Sequence, residues 1–261
     1  MIATELFRTG QLQEAMLAQI EKVKSNPGDQ AARIFLFELA CFAGDLDRAE
    51  RQIDAIKYNE LERDAGVQTY RKLLDAERLR RRVFAEGLAP KFLSEPSEAV
   101  RWRVEALNCL RGHKPADAAD LLRRADEATP PHGGQLNGVH FETLRDCDDL
   151  FGPVLEVMAQ GDYYWLPIEH IDNVVVRPPE FPRDLLWLPA RLETRNGPSG
   201  DAFIPALYPG SHEHADNAIK LGRSTDWTGA DQGPVRGVGL RMFLYGEEAI
   251  SVLEWRQLQM A

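Results

Sequence analysis

Two histidines one residue apart, three aspartates around a cysteine, and several glycine-rich turns are the features of this 261-residue chain that could do chemistry. In a strand, His212 and His214 would share one face, as two zinc ligands do. The segment His212-Glu213-His214 follows Tyr208-Pro209-Gly210, however, which signals a loop. No third ligand lies nearby in sequence, and only the fold could bring in His140 or His170. An exposed polar loop with no bound metal is the expectation. Asp146, Asp148 and Asp149 could supply a general acid–base pair, but helix capping or a charged surface explains them equally well. Cys147, among them, has no histidine at short range to make it a nucleophile. Gly233-Pro234-Val235-Arg236-Gly237-Val238-Gly239 suggests a phosphate loop, yet it lacks the Lys-Ser/Thr step and runs into a strand pattern. It reads as the glycine-kinked start of a strand. Gly197-Pro198-Ser199-Gly200 lacks the spacing of a nucleophile elbow.

The most site-like stretch is Leu221-Gly222-Arg223-Ser224-Thr225-Asp226-Trp227. It offers a cation, two hydroxyls, an acid and a large aromatic. Two readings stand. An Arg223–Asp226 pair could brace a buried Trp227, or these residues could form a partner-binding hot spot, where Trp and Arg are over-represented. No motif calls for a cofactor.

The elements that must position these residues come in two styles. Gly10-Gln11-Leu12-Gln13-Glu14-Ala15 recurs as Gly44-Asp45-Leu46-Asp47-Arg48-Ala49, 34 positions later, the period of tetratricopeptide-type helix pairs. Gly112 opens a looser third copy 68 positions after Gly44. Apolar stripes predict helices over 11–25, from about 30, over 60–86, from Ser94-Glu95-Pro96-Ser97-Glu98 through Leu110, and over 115–128. Asp29 is placed to cap the second of these. The segment from Ala31 to Phe42 is apolar nearly all round and should be sandwiched between neighbours. About seven helices would stack as a short solenoid with one concave face. The run Arg78-Leu79-Arg80-Arg81-Arg82 is flanked by Glu77 and Glu86, and it predicts a solvated face or a protein contact rather than a nucleic-acid site.

After Thr129-Pro130-Pro131-His132-Gly133-Gly134 the hydrophobic period changes to two. Short strands are expected at 154–158, 163–166, 174–176, 190–194 and 202–204, with a hairpin closing 235–244 on 250–255. The chain thus reads as α+β: a TPR-like helical repeat domain over 1–129, then a mainly antiparallel α+β domain over 135–261, with the two separable between about 128 and 140.

Charge follows the same division. Residues 1–129 hold 21 basic and 22 acidic side chains, and residues 130–261 hold 10 and 19. An acidic second half should repel phosphate backbones and anionic lipid, which argues against nucleic-acid and membrane partners. No apolar run reaches the roughly 18–20 residues that span a bilayer. Three widely spaced cysteines, Cys41, Cys109 and Cys147, fit reduced, mostly buried thiols in the cytoplasm.

Asp146-Cys147-Asp148-Asp149-Leu150 through Tyr163-Tyr164-Trp165-Leu166-Pro167, Asp184-Leu185-Leu186-Trp187-Leu188-Pro189-Ala190, Leu221 to Trp227, and Gly233 to Arg241 together resemble the ImpE family, also called the TagJ or SciE-like family. These are accessory proteins of bacterial type VI secretion systems. The resemblance covers nearly the whole chain, with its specific signal in the second half. It implies a cytoplasmic, non-enzymatic adaptor. Such an adaptor would bind the N-terminal helix of the small sheath subunit and connect the sheath to the AAA+ ATPase that recycles it. It carries no catalytic residues across. Trp187, Arg223, Asp226 and Trp227 are the candidate partner-binding residues. Two competing functions remain open: an enzyme using the carboxylates or His212 and His214, and a ligand sensor with a pocket between the halves.

Overall fold

The computed structural model describes residues 2–56, 61–229 and 233–261. Glu60, the expected first residue of the long helix, lies outside the described residues, as do Met1 and the side chain of Leu61. Helices come first: α1 (Ile2–Arg8), α2 (Leu12–Ser25), α3 (Gln30–Phe42), α4 (Leu46–Asp54), α5 (Leu61–Glu86), α6 (Glu98–Arg111) and α7 (Pro115–Ala128). None of the described helices is long and apolar enough to cross a membrane.

The repeat signature is a helix terminator. Gly10 and Gly44 adopt φ of 84° and 78°, conformations that suit glycine. In each case the next residue donates its backbone N–H five positions back: Gln11 to Leu6 at 2.8 Å and Asp45 to Ala40 at 2.9 Å. This is the Schellman closure of a helix C-terminus. The third copy makes the same bond, Lys114 to Cys109 at 2.9 Å. There the left-handed residue is His113 (φ 55°), while Gly112 has φ −80°. The looseness of the third copy is a one-residue shift of the turn, which leaves Pro115 at the first position of α7. Asp29 caps α3 through a 2.9 Å bond from the Ala32 N–H.

Helix α3 is sandwiched, as its composition predicts. Leu36, Leu39 and Phe42 join Leu12, Ala15 and Met16 in one core. Phe37, Ala40 and Cys41 face another. Ala49, fully buried, lets α4 approach α3 closely. The stacking then changes at α5, which lies on strands rather than completing a helix pair. Along α5 the expected concave face is therefore filled by the second half.

That half contains β1 (Gly134–Leu136), β2 (Val139–Phe141), β3 (Leu144–Asp146), β4 (Val154–Ala159), β5 (Asp162–Pro167), β6 (Ile171–Val176), β7 (Trp187–Thr194), β8 (Gly200–Pro205), α8 (Asn217–Lys220), β9 (Thr225–Thr228), β10 (Arg236–Gly239), β11 (Met242–Tyr245), β12 (Glu248–Ser251) and β13 (Gln257–Met260). Eight strands form one antiparallel sheet in the order β2-β1-β13-β6-β7-β8-β4-β5. A second sheet runs β12-β11-β3, and β9 pairs with β10 alone. The single strand expected over 235–244 is broken at Gly239 (φ 95°) into β10 and β11. Beyond Ser251 the chain makes a 3-10 turn, Val252–Glu254, before β13.

Both faces of the large sheet are buried at β4, which is why that strand lacks a polar face, whereas β6 and β13 alternate buried and exposed residues. Leu155 and Val157 point into a core shared with Leu166, Phe243 and Trp255. Val154 and Met158 point the other way, into a core that also contains Phe37, Leu73, Leu107 and Leu122 from the helices. One apolar core thus runs across the 129–135 boundary. At its centre Phe84 of α5, Phe151 and Trp165 of β5 form a ring cluster, with Phe151 and Trp165 centroids 5.7 Å apart. Such pairs add about 0.5–1.5 kcal/mol each beyond their area burial.

Candidate functional site

The sequence-flagged carboxylates meet inside the protein, at the seam between α5 and the sheets. Arg80 is the centre of the basic run, and it leaves the helix on the side facing β4. Its Nε and Nη2 donate to the two carboxylate oxygens of Glu156 at 2.8 and 3.0 Å, and Nη2 also donates to the Leu207 carbonyl at 2.7 Å. Glu156 additionally pairs with Arg241 and accepts from the Tyr163 hydroxyl. The Trp165 indole N–H donates to that same hydroxyl at 2.6 Å. Arg241 reaches Asp146 at 2.8 Å and lies between the rings of Phe151 and Tyr208, 4.5 and 5.0 Å from their centroids. Cation–ring contact covers the faces of a guanidinium whose Nε finds no hydrogen-bond acceptor.

Asp146 also accepts from the Tyr208 hydroxyl at 2.7 Å and from the Asp148 N–H at 2.8 Å. Asp148 accepts from Arg236 Nε at 2.8 Å and from the N–H groups of Leu150 and Gly237. Gly237 is needed there, because a Cβ would fall 2.4 Å from the Tyr208 ring. Arg80, Arg236 and Arg241 thus balance Asp146, Asp148 and Glu156, while Glu77 lies 3.6 Å from Arg80 and pairs with Arg81 at 3.3 Å. Burial pushes Asp146 up to about 7 despite Arg241 beside it, and draws Arg241 down to about 10. Burial likewise raises the Tyr163 and Tyr208 phenols. Asp146, Asp148, Glu156 and Arg241 are fully buried. This arrangement ties two halves of a chain together; it presents no acid or base to a substrate.

The basic run therefore differs from the expected solvated face. Arg78 pairs with Glu50 at 2.9 Å, Arg81 donates to the Gly44 carbonyl at 2.8 Å, Arg82 pairs with Glu86 at 2.9 Å, and Arg80 is buried. Two further ties cross the same seam. Arg103 of α6 donates to the carbonyls of Asp149 and Leu150 and pairs with Asp126. Arg183 pairs with Glu38 of α3 at 2.5 Å and donates to the Tyr70 hydroxyl at 2.6 Å. Burial raises Glu38, against the pull of Arg183.

The structure brings three of the four candidate partner residues together. Arg223 donates to the Phe7 and Arg8 carbonyls at 2.7 and 2.9 Å, and so caps the C-terminus of α1 from the other half of the chain. It makes no pair with Asp226, whose carboxylate accepts the Trp227 N–H at 2.8 Å. Trp227 stands on β9, 38% exposed, edge-on to Tyr208 at 5.8 Å. Trp187 is elsewhere, in the shared core and only 4% exposed. Ser211–Glu213 forms a 3-10 turn, not a strand, so the two histidines diverge. His212 packs over Gly44, where a Cβ would come within 2.1 Å of its ring, and His214 lies 3.9 Å from Asp226. Burial, then Arg81, lowers the His212 pKa. Among the described residues no group of three or more His, Cys, Asp or Glu side chains is placed to hold a metal. Cys41 is buried, Cys109 and Cys147 are half-buried, and all are free thiols. Burial raises Cys147 to about 11, away from nucleophilic use.

Sequence reasoning missed Glu156, Arg241, Tyr208 and Arg103 as members of this network. Glu156 carried a signal, since a lone acid in the apolar run Val154-Leu155-Glu156-Val157-Met158 demands a buried partner.

The description "ImpE protein" belongs to a family model that matches residues 138–259. The chain is 40% identical over 262 residues to the type VI secretion system accessory component TagJ of Pseudomonas aeruginosa, spanning 99% of this chain and 90% of that one. The crystal structure of protein VPA1032 from Vibrio parahaemolyticus superposes with a TM-score of 0.90 at 26% identity, over 100% of this chain and 98% of that chain.

Proposed function

The chain belongs to the ImpE family, and from that premise we propose that it is a non-enzymatic accessory component of a type VI secretion system, acting in the cytoplasm by holding other proteins. Its expected ligand is the N-terminal helix of the small sheath subunit, and it would link the sheath to the AAA+ ATPase that recycles it.

One observation carries the reading. The helical layer is covered by the sheet at α5 but open at α1 and α2, where Ile2 and Leu17 are 74% and 57% exposed. Paired helices with unpartnered apolar residues accept an amphipathic helix through anchors at i, i+3/i+4 and i+7. The second candidate surface is tethered to this one. Arg223 binds the end of α1, and Trp227 follows four residues later on β9. Trp187, being buried, would act through the core rather than by contact.

A synthetic peptide of the sheath-subunit helix is the test. Micromolar binding corresponds to about −8 kcal/mol, within reach of a few buried apolar anchors. Leu17→Asp should abolish binding if α1 and α2 hold the peptide, and Trp227→Ala should do so if β9 does. The reading fails if the full-length protein binds neither the peptide nor assembled sheath.

A further inference from the structure

A cleft of about 270 Å³ opens between α5 and the strands β4 and β8. Its floor is apolar, with Leu73, Ala76, Met158 and Phe203. Its rim carries three charged side chains, Lys72 of α5, Arg177 after β6, and Asp201 of β8. Neither cation has a carboxylate partner among the described residues. Elsewhere the interior and seam arginines meet carboxylates or carbonyls, as Arg80, Arg103, Arg183 and Arg223 do. Lys72 has only the neutral Gln160 side chain as acceptor, at 2.7 Å. Arg177 uses its backbone N–H on Pro189, and its guanidinium has no hydrogen bond or ion pair among the described residues. They come from the two halves of the chain and line one cleft, in a second half whose basic side chains are outnumbered 19 to 10.

The strands beneath the cleft explain why it exists. β4 and β8 register through a single residue pair, Met158 with Phe203. Past that point Ala159 and Gln160 leave β8 for a tight turn, with Gln160 at φ 54° and Gly161 at φ 91°. The departing strand leaves space over Phe203, and Lys72 and Arg177 border it.

We propose that this cleft is a binding site for an amphiphilic carboxylate: a carboxylate group held between Lys72 and Arg177, with an attached apolar body on Phe203, Leu73 and Met158. A guanidinium meets a carboxylate in two parallel hydrogen bonds, and a lysine adds a point charge from the opposite wall. A pocket with an apolar floor and few convergent polar groups suits a small ligand or the last residue of a peptide. Asp201 opposes the anion and sets its orientation, since the carboxylate must sit on the Lys72–Arg177 side. The site is independent of the helix-binding surface proposed above, which lies at α1, α2 and β9.

The full-length protein should be titrated calorimetrically with 3-phenylpropionate, with the tetrapeptide Ala-Ala-Ala-Phe bearing a free C-terminal carboxylate, and with the same peptide amidated. Saturable binding of a free carboxylate is expected, weaker at high salt because the rim is exposed. Replacing both cations, Lys72→Met with Arg177→Met, should weaken it about tenfold or more, and Asp201→Asn should tighten it. All three substitutions lie on the exposed rim, and unchanged thermal unfolding verifies that the variants are folded. If only the peptide binds, the anion is a protein C-terminus; if 3-phenylpropionate binds as well, the site takes free carboxylates. The proposal is overturned if no carboxylate binds at millimolar concentration, if the amidated peptide binds equally well, or if the double variant binds unchanged. It is equally overturned if phenethylamine binds and Asp201→Asn abolishes that binding, which would make the cleft a cation site.

Discussion

Replacing Glu156 by Gln tests whether the buried ion network is what joins the two halves. Glu156 accepts from Arg80 at 2.8 and 3.0 Å, pairs with Arg241 and accepts from Tyr163, all out of solvent. The amide is nearly isosteric, so packing with Val154 and Met158 is kept. Charge balance is not, because two guanidiniums remain with one fewer carboxylate between them. Removing one partner of a buried pair costs about 3–5 kcal/mol. For a protein of this size each kcal/mol moves Tm by roughly 2–4 °C, so a fall of roughly 6–20 °C is expected. Arg80→Met combined with Glu156→Met leaves balanced pairs, Arg241 with Asp146, Arg236 with Asp148, and Arg81 with Glu77, which Arg80 also approaches in the wild type. That double variant should recover most of the loss, short of about 1 kcal/mol for the Leu207 carbonyl that Arg80 no longer serves. Thermal unfolding followed by far-ultraviolet circular dichroism, which reports α1 to α7, and by tryptophan fluorescence, which reports buried Trp165 and Trp255, should give one coincident transition for every variant. A Glu156→Gln protein within about 1 kcal/mol of the wild type, a double variant no better than the sum of its singles, or helices that outlast the tryptophan signal would refute the argument.

Other outcomes follow from single positions. Gly10→Ala should cost about 1–2 kcal/mol for its left-handed backbone alone, since only Arg223 Nη1 lies near, at 3.4 Å, an ordinary contact distance. Gly44→Ala should cost more, because its Cβ would lie 2.1 Å from the His212 ring, and adding His212→Ala should bring the loss back towards that of Gly10→Ala in denaturant titrations. The His212 pKa is lowered on folding, so its contribution is fully present above the unfolded value of about 6.5 and is lost as pH falls below it; wild type should lose more stability than His212→Gln between pH 7.5 and 5.5, and equal losses would contradict this. Trp227→Ala should leave Tm nearly unchanged apart from its edge contact with Tyr208, about 0.5–1.5 kcal/mol.

The α+β class and most element positions were legible because they rest on local pattern. The 14-residue α7 was expected at 115–128 and runs Pro115–Ala128; β4 to β8 each overlap a period-two run. What escaped was short and non-local. Gly134-Gln135-Leu136 pairs with β2 across the Asn137-Gly138 turn and also with Met260, Gln259 and Leu258, and no three-residue pattern announces that second partner more than 120 positions away. The same holds for β13, which follows a 3-10 turn where a continuing strand was expected. The separability of 1–129 from 135–261 was inferred from a change of period, which marks a change of secondary structure. Whether a core ends there depends on which faces pack together, and here Leu73 and Leu107 share a core with Val154 and Met158.

The candidate site shows the same limit from the side of chemistry. Asp146, Asp148 and Arg236 looked like fragments of a catalytic or phosphate-binding motif because they stand among glycines and other charges. Their spacing instead follows from one requirement: three carboxylates and three guanidiniums must meet inside a seam built from α5, β4 and the chain around β3, β10 and β11. Gly237 is small because Tyr208 passes over it, and Tyr208 is there because Asp146 needs a donor. A buried charge that lacks its partner costs several kcal/mol, so every member fixes the identity of the others. Such mutual constraint makes a segment look like an active site in sequence while leaving it with no surface to act on. The residues free to meet a ligand are the ones the network does not use: Ile2, Leu17 and Trp227 on one side, Lys72 and Arg177 on the other. Of these five only Trp227 stands in a motif, the Leu221–Trp227 stretch, because an exposed side chain without a partner in its own chain leaves no sequence pattern to reveal it.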